Sequence, residues 1–404
     1  MKSPGMGAAS SFTMSTTFHL QGADGAARAG VLTTPHGAVP TPAFIPVATQ
    51  GSVKTVTPQE LRYLGAAIVL GNTYHLYLRP GVELVREMGG LGAFMGWDGP
   101  LLTDSGGFQA YSLGRNVRIS SQGLEFQSHI DGSRHLFTPE DVVRYQEALG
   151  ADIIMPLDHC LAYTQDKAAA RQAMERTHAW LARSLHPHTR KDQALFGIVQ
   201  GGVFPDLREE SAAYITSLGM PGYAIGGLAV GEPKEAMYSV AAHTAALLPQ
   251  DRPRYLMGVG SPEDLVRCVA VGVDMFDCAL PTRVARNGAL FTHSGRVNID
   301  VAAFRGKHGP VEDGCDCYAC QHFTAGYIHH LFRARELLGL RLATIHNLRF
   351  VVRLMERMRA AILQGTFQTF ASGFLASYRP ADEEARTEQR GRWLASRVRN
   401  EVSG

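Results

Sequence analysis

"DMFDCAL" (residues 274–280) is an apolar run with a carboxylate, Asp277, late in it, and Pro281 closes it. Strands buried on both faces of a parallel sheet read this way, apolar throughout rather than alternating. Seven other runs share the form: "AFIPVAT" (43–49), "AIVLGNT" (67–73), "PLLTDSG" (100–106), "DIIMPLD" (152–158), "LFGIVQG" (195–201), "YAIGGLA" (223–229) and "RYLMGVG" (254–260). Amphipathic helical stretches lie between them. "TPEDVVRYQEALG" (138–150) has a Thr cap, Pro in its first turn, two acids and a terminal Gly. "DLREESAAYITSLG" (206–219) repeats that logic, with Asp206 as the expected cap and Gly219 as the stop. Eight strands alternating with helices predict an α/β fold, a (β/α)8 TIM barrel.

Two regions break the alternation. Residues 111–137 carry turn signals around extended segments and read as a β insertion after strand three. Residues 290–347 hold a hairpin, a cysteine cluster and a helix, and read as a C-terminal zinc-binding subdomain. The expected division is a flexible extension over 1–16, a barrel core over 17–300, a zinc-binding and helical subdomain over 301–376, and a charged tail over 377–404.

In such barrels the reacting groups sit at the C-terminal strand ends. Asn72, Asp104, Asp158, Gln200, Gly227 and Asp277 all fall there. A polar residue near a strand end is often only a cap or turn former. Three carboxylates on one rim are harder to dismiss, because a buried, unpaired carboxylate is costly and normally has a partner or a task. Opposed carboxylates suit chemistry at an acetal-like carbon: one attacks the anomeric carbon, the other handles the leaving group's proton. The leaving group can be an alcohol or a nucleobase. A barrel glycosidase using Asp104 and Asp277 therefore stays open at this point. It predicts aromatic platforms for sugar rings, yet the three tryptophans, Trp97, Trp180 and Trp393, lie outside the strand-end motifs.

Cys315, Cys317, Cys320 and His346 make the pattern C-x-C-x2-C-x25-H. Three thiolates and one imidazole form a closed tetrahedral zinc site with no position for water, and such a site is structural. Basic residues gather nearby. Arg283 and Arg286 follow Asp277. Arg349, Arg353 and Arg357 recur every four residues and share a helix stripe. The zinc module and this helix together read as a clamp for a polyanion. The formal net charge is only +2, so an RNA or DNA partner would have to meet locally gathered charge. No apolar run reaches a membrane span's length and the N-terminus lacks a signal-peptide core, so the cytoplasm is expected.

The segments "GNTYHLYLRPG", "LLTDSGGFQ", "FGIVQGG", "YAIGGLAVGEP", "DMFDCALPTRVARNG" and the "CDCYAC" to "HNLR" pattern carry a resemblance. Over about residues 18–375 the chain resembles the bacterial tRNA-guanine transglycosylases of the queuosine pathway. The resemblance implies that the wobble guanine of GUN-anticodon tRNAs is exchanged for a 7-deazaguanine. It makes Asp277 the nucleophile on ribose C1′ and Asp104 the general acid/base, supported by Asn72. It makes Asp158, Gln200 and the backbone of Gly227 and Leu228 readers of the base edge. Phe108 and Met257 match the sides of the slot around the base, and Arg283 and Arg286 match contacts to tRNA. The resemblance also implies a homodimer with the zinc region at its interface. Val230 and Cys160 match members that take 7-aminomethyl-7-deazaguanine rather than the bulkier queuine. Two positions depart from common members: His159 stands where an acid is usual, and Phe108 where some have Tyr.

Overall fold

The computed structural model describes residues 16–380. The expected flexible extension (1–15 of it) and the charged tail beyond residue 380 lie outside the described residues. In chain order, β1 (Thr17–Asp24), β2 (Ala27–Thr34) and β3 (Gly37–Thr41) form an antiparallel sheet that the strand pattern did not anticipate. β4 (Ala43–Ile45), β5 (Val47–Ala48), β6 (Val69–Asn72) and β7 (Leu101–Asp104) follow. β8 (Arg115–Ile119), β9 (Leu124–Gln127) and β10 (Arg134–Phe137) make a second antiparallel sheet, the insertion expected after strand three. Then come β11 (Ile153–Ile154), β12 (Ala194–Leu195), β13 (Gly197–Val199), β14 (Tyr223–Ile225), β15 (Arg254–Leu256) and β16 (Met275–Asp277). The hairpin β17 (Ala289–Thr292) and β18 (Gly295–Asn298) precedes the C-terminal helices.

The framework is mixed α/β, with two five-stranded parallel sheets ordered β12-β11-β7-β6-β5 and β13-β14-β15-β16-β4. Two chain segments serve both sheets. Pro46 alone separates β4 from β5, and Phe196 alone separates β12 from β13. The Phe196 N–H donates to Ile154 O and the next N–H, Gly197, to Gly222 O, so the backbone passes from one sheet to the other in a single residue.

The apolar runs are buried on both faces, which is why they do not alternate. One cluster collects Ile45, Leu70, Leu102, Ile153, Ile198, Ala224, Tyr255 and Met275 from both sheets. Their chain neighbours, such as Phe44, Val69, Leu101, Val199, Leu256 and Phe276, pack in a second cluster with the surrounding helices. Side chains two apart on a strand share a face. Stepping two residues on from Leu70, Leu102, Ile198 and Met275 gives Asn72, Asp104, Gln200 and Asp277. The polar residues at the strand ends therefore continue the face shared by the two sheets.

Most strands stop sooner than the apolar runs suggest. β11 holds only two residues, so Asp158 lies in the loop beyond it, and Gly227 and Leu228 likewise follow β14. The cap on the helix Pro205–Ser217 is also different from expectation. Phe204 is at the N-cap and Asp206 lies inside the first turn, where its carboxylate pairs with Lys167. Pro205 explains the shift, since its fixed φ and missing N–H suit the first helical position. The start of the charged tail, expected at residue 377, is still packed: Tyr378 is buried and Arg379 N–H donates to Ser294 O. No helix among the described residues is long and apolar enough to cross a membrane.

Candidate active site

Asp277 ends β16, half-buried. Its Oδ1 accepts the Tyr255 hydroxyl at 2.6 Å and the Gly258 N–H at 3.0 Å. Burial pushes its pKa up, and those two donations hold it back. Tyr255 pairs with Met275 in the β15–β16 ladder, which sets its ring beside the carboxylate two residues on.

Asp104 ends β7 opposite Asn72 in the parallel register. It is buried, and donors surround it. Thr73 N–H reaches Oδ1 at 2.9 Å, while Asn72 Nδ2 and Gln109 Nε2 both donate to Oδ2. Burial still lifts its pKa to about 6; Asn72 and Thr73 oppose that shift and the negative charge of Asp277 adds to it. The two carboxylates are thus electrostatic neighbours.

Asp158 forms the third acidic point. It is buried, pushed up to about 6 by that burial, and accepts Gln200 Nε2 on Oδ2 at 2.8 Å. Gln200 is held by its own backbone N–H, which donates to Ser211 Oγ. Bare backbone closes over the Gln200 amide. A Cβ on Gly227 would stand 2.4 Å from Gln200 Oε1, and Gly227 has φ +66°, a conformation side chains disfavour. The following turn is fixed by Glu232, which accepts Ala229 N–H at 2.6 Å and Val230 N–H at 3.1 Å.

The remaining expected residues fall around these groups. Leu228 is buried. Cys160 and Val230 are both half-buried, and Tyr163 N–H reaches Val230 O at 3.5 Å, tying their two loops together. Burial pushes the Cys160 thiol well above its ordinary range. Phe108 is exposed on the helix Gly107–Leu113, one turn beyond Asp104, and Met257 directly precedes the Gly258 that binds Asp277. Arg283 is exposed and Arg286 half-buried on the helix Leu280–Arg286 that begins beside Asp277. His159 N–H donates to Thr177 Oγ1, and its Nδ1 faces Arg176 Nη1 at 3.0 Å. Burial, then the charge of Arg176, lowers its pKa to about 4.

Cys315, Cys317, Cys320 and His346 meet as expected. All four are buried, with ligand atoms within 4.8 Å of one another. His346 Nε2 lies 2.6 Å from Phe291 O, which leaves Nδ1 to face the three sulfurs at 3.3–3.8 Å. A carbonyl partner of this kind fixes the tautomer that a metal-binding imidazole needs. This cluster could hold a metal ion.

The queuine tRNA-ribosyltransferase family pattern matches residues 24–380. The chain belongs to that family. It is 55% identical over 380 residues to the queuine tRNA-ribosyltransferase of Herpetosiphon aurantiacus, covering 94% of this chain and 97% of that protein. It is 57% identical over 352 residues to that of Desulforudis audaxviator, and 56% identical over 352 residues to that of Pelotomaculum thermopropionicum; each match covers 87% of this chain and 95% of the relative.

Within this family member the basic helix is not the free clamp expected from its spacing. Arg349 pairs with Asp316 and Glu356, Arg353 donates to Gly314 O, and Arg357 lies over the Phe370 ring. Arg341 pairs with Glu60 and Arg333 with Asp300. These side chains fasten the cysteine loop and neighbouring segments, because each has an acid, carbonyl or ring within reach. Sequence reasoning missed Tyr255, Gly258, Gln109 and Glu232. Tyr255 carried a usable signal, since a tyrosine inside an apolar strand needs a partner for its hydroxyl. Gln109 carried none, being an ordinary polar residue on a short helix.

Proposed function

We propose that this chain is a tRNA-guanine transglycosylase. It exchanges the wobble guanine of GUN-anticodon tRNAs for 7-aminomethyl-7-deazaguanine in queuosine biosynthesis, by a ping-pong mechanism with a covalent Asp277–ribose intermediate. The observation that carries this reading is the pairing of Asp277, steered through Oδ1 by two donors, with Asp104, whose proton affinity responds to the Asp277 charge.

Asp277 Oδ2 attacks ribose C1′ as the bond to guanine N9 breaks. Asp104 supplies the proton that leaves with guanine. The incoming base then gives its N9 proton to the Asp104 carboxylate, attacks C1′ and releases Asp277. The electron pairs balance without redox or ATP. The flipped guanine is read on its edge. Asp158 accepts from its N1–H and amino group, Gln200 and the Gly227 backbone meet its carbonyl side, and Phe108 and Met257 flank its faces. Asn72 positions Asp104, the Leu228 backbone joins that of Gly227 at the base edge, and Val230 and Cys160 line the side of the variable substituent. A branched Val230 crowds a large substituent, which favours the aminomethyl base over queuine. Arg283 and Arg286 contact the tRNA.

The supporting frame is read as a (β/α)8 barrel, because segments 43–48 and 194–199 join the two parallel sheets around one shared cluster. Zinc is the proposed ion for Cys315, Cys317, Cys320 and His346, since a thiolate-rich, closed set suits it and it would staple the cysteine loop to the long helix. The exposed rings of Tyr318 and Tyr327 beside this cluster support a homodimer through this region. A tRNA substrate and free cysteines suit the cytoplasm. The test is incubation with cognate tRNA and each candidate deazaguanine, followed by nucleoside mass analysis. Incorporation of the aminomethyl base is expected. Incorporation of queuine alone would overturn the base assignment, and no incorporation would overturn the activity.

A further inference from the structure

The insertion sheet β8–β9–β10 has a buried face and an outward face. Leu124, Phe126 and Phe137 pack inward with Tyr74 and Ala110. In an antiparallel ladder, paired residues point to the same side and neighbours along a strand to opposite sides. Gln127 pairs with Arg115 on one flank and Arg134 on the other, and Glu125 pairs with Arg118. Glu125 and Gln127 alternate with the inward Leu124 and Phe126, so this row of three arginines lies on the outward face. All three are exposed.

Elsewhere the arginines are mostly engaged. Arg28, Arg62, Arg183, Arg190, Arg341 and Arg349 each hold a carboxylate. Among the described residues, no ion pair or side-chain hydrogen bond involves Arg115, Arg118 or Arg134. The acids nearby do not neutralise them. Glu125 lies opposite Arg118 without forming an ion pair, and Asp131, in the β9–β10 turn, is occupied by the Ser133 hydroxyl and N–H. The Gln127 carbonyl, a neutral acceptor in the same row, is covered by Asn116 Nδ2 at 2.8 Å. The row therefore carries three guanidinium charges against the single carboxylate of Glu125.

Its position matters as much as its charge. The helix Gly107–Leu113 joins Asp104 to Arg115, and it is only seven residues long. We propose that the outward face of this sheet binds the phosphate backbone of the RNA substrate, through Arg115, Arg118 and Arg134. This rests on the tRNA reading above. The three exposed guanidinium groups have no ion pair or side-chain hydrogen bond within the described residues, and phosphate is the anion such a substrate brings.

The test replaces all three together, Arg115→Gln, Arg118→Gln and Arg134→Gln, and measures tRNA affinity against salt alongside steady-state exchange. Affinity at low salt is expected to fall about tenfold or more, with the salt slope shallower by about one per arginine. KM for tRNA should rise while kcat at saturating tRNA and the melting temperature stay as in the parent. A parent-like affinity and slope would overturn the proposal. So would a weaker affinity with an unchanged slope, since the loss would then not be one of phosphate contacts. Failure of the parent protein to exchange any tRNA base would instead count against the proposed activity, while the binding slopes would still test this surface.

Discussion

Tyr255 donates its hydroxyl to Asp277 Oδ1 at 2.6 Å, across adjacent parallel strands. With Gly258 N–H on the same oxygen, two donors restrain the carboxylate's rotation, which leaves Oδ2 as the oxygen for the proposed attack. Tyr255→Phe removes one charge-assisted hydrogen bond, worth roughly 2 kcal/mol, and frees the carboxylate to rotate, so adduct formation should slow about tenfold or more through lost orientation. The donation also lowers the Asp277 pKa, so its loss should move the acid limb of the pH–rate profile upward. Single-turnover adduct formation across pH checks both effects. A slower variant with an unmoved acid limb would mean that Tyr255 only supports the strand.

The two half-reactions should respond to pH in opposite senses. Asp104 is pushed up to about 6. In the proposed mechanism guanine departure needs its protonated form, so adduct formation should fall as pH rises through that value. Base incorporation needs the ionised form, so it should fall as pH drops. Esterification removes the Asp277 charge that helps raise Asp104, so the second midpoint should lie below the first. Rapid-quench rates for each half-reaction test this, and coincident profiles of the same sign would contradict it.

Much of this candidate site's geometry was legible because strand chemistry is local. Apolar runs ending in Asn72, Asp104 and Asp277 report strands buried on both faces, with polar groups where the shared face meets solvent. The cysteine spacing reported its cluster for the same reason. The β1–β3 sheet escaped notice because "TFHLQGAD" and "ARAGVLTT" lack the continuous apolar character sought. The arginine stripe misled because helical spacing shows which side chains share a face and says nothing of Asp316, Glu356 or Gly314 waiting beside them. Gln109 and Glu232 depend on tertiary approach, and no periodicity encodes that.

Gly227→Ala should impair base recognition more than RNA binding. The added Cβ would meet Gln200 Oε1 at 2.4 Å, and φ is +66° there. Relief requires moving the amide that holds Asp158. We expect KM for the incoming base to rise about tenfold or more, on the scale of losing one buried hydrogen bond to a charged group, with tRNA affinity held. Calorimetric base binding and filter-binding of tRNA separate the two; equal losses in both would point to general unfolding.

Metal removal should act on structure before chemistry. The ligand set ties the loop at residues 315–320 to the long helix through His346, and His346 also holds Phe291 O. A chelator strong enough to strip the ion, or Cys320→Ser, should expose residues 300–347 to protease in parallel with loss of exchange. Bound metal per chain, proteolytic mapping and activity should fall together. Activity lost while the region stays protease-resistant would assign the ion to the reaction itself.

The most direct test is to quench the protein with tRNA before adding a second base, digest it, and locate the RNA by peptide mass. A ribose ester is expected on Asp277 within the peptide around residues 274–282, absent from Asp277→Asn. A sugar found on another side chain, or full exchange with no adduct at all, would contradict it.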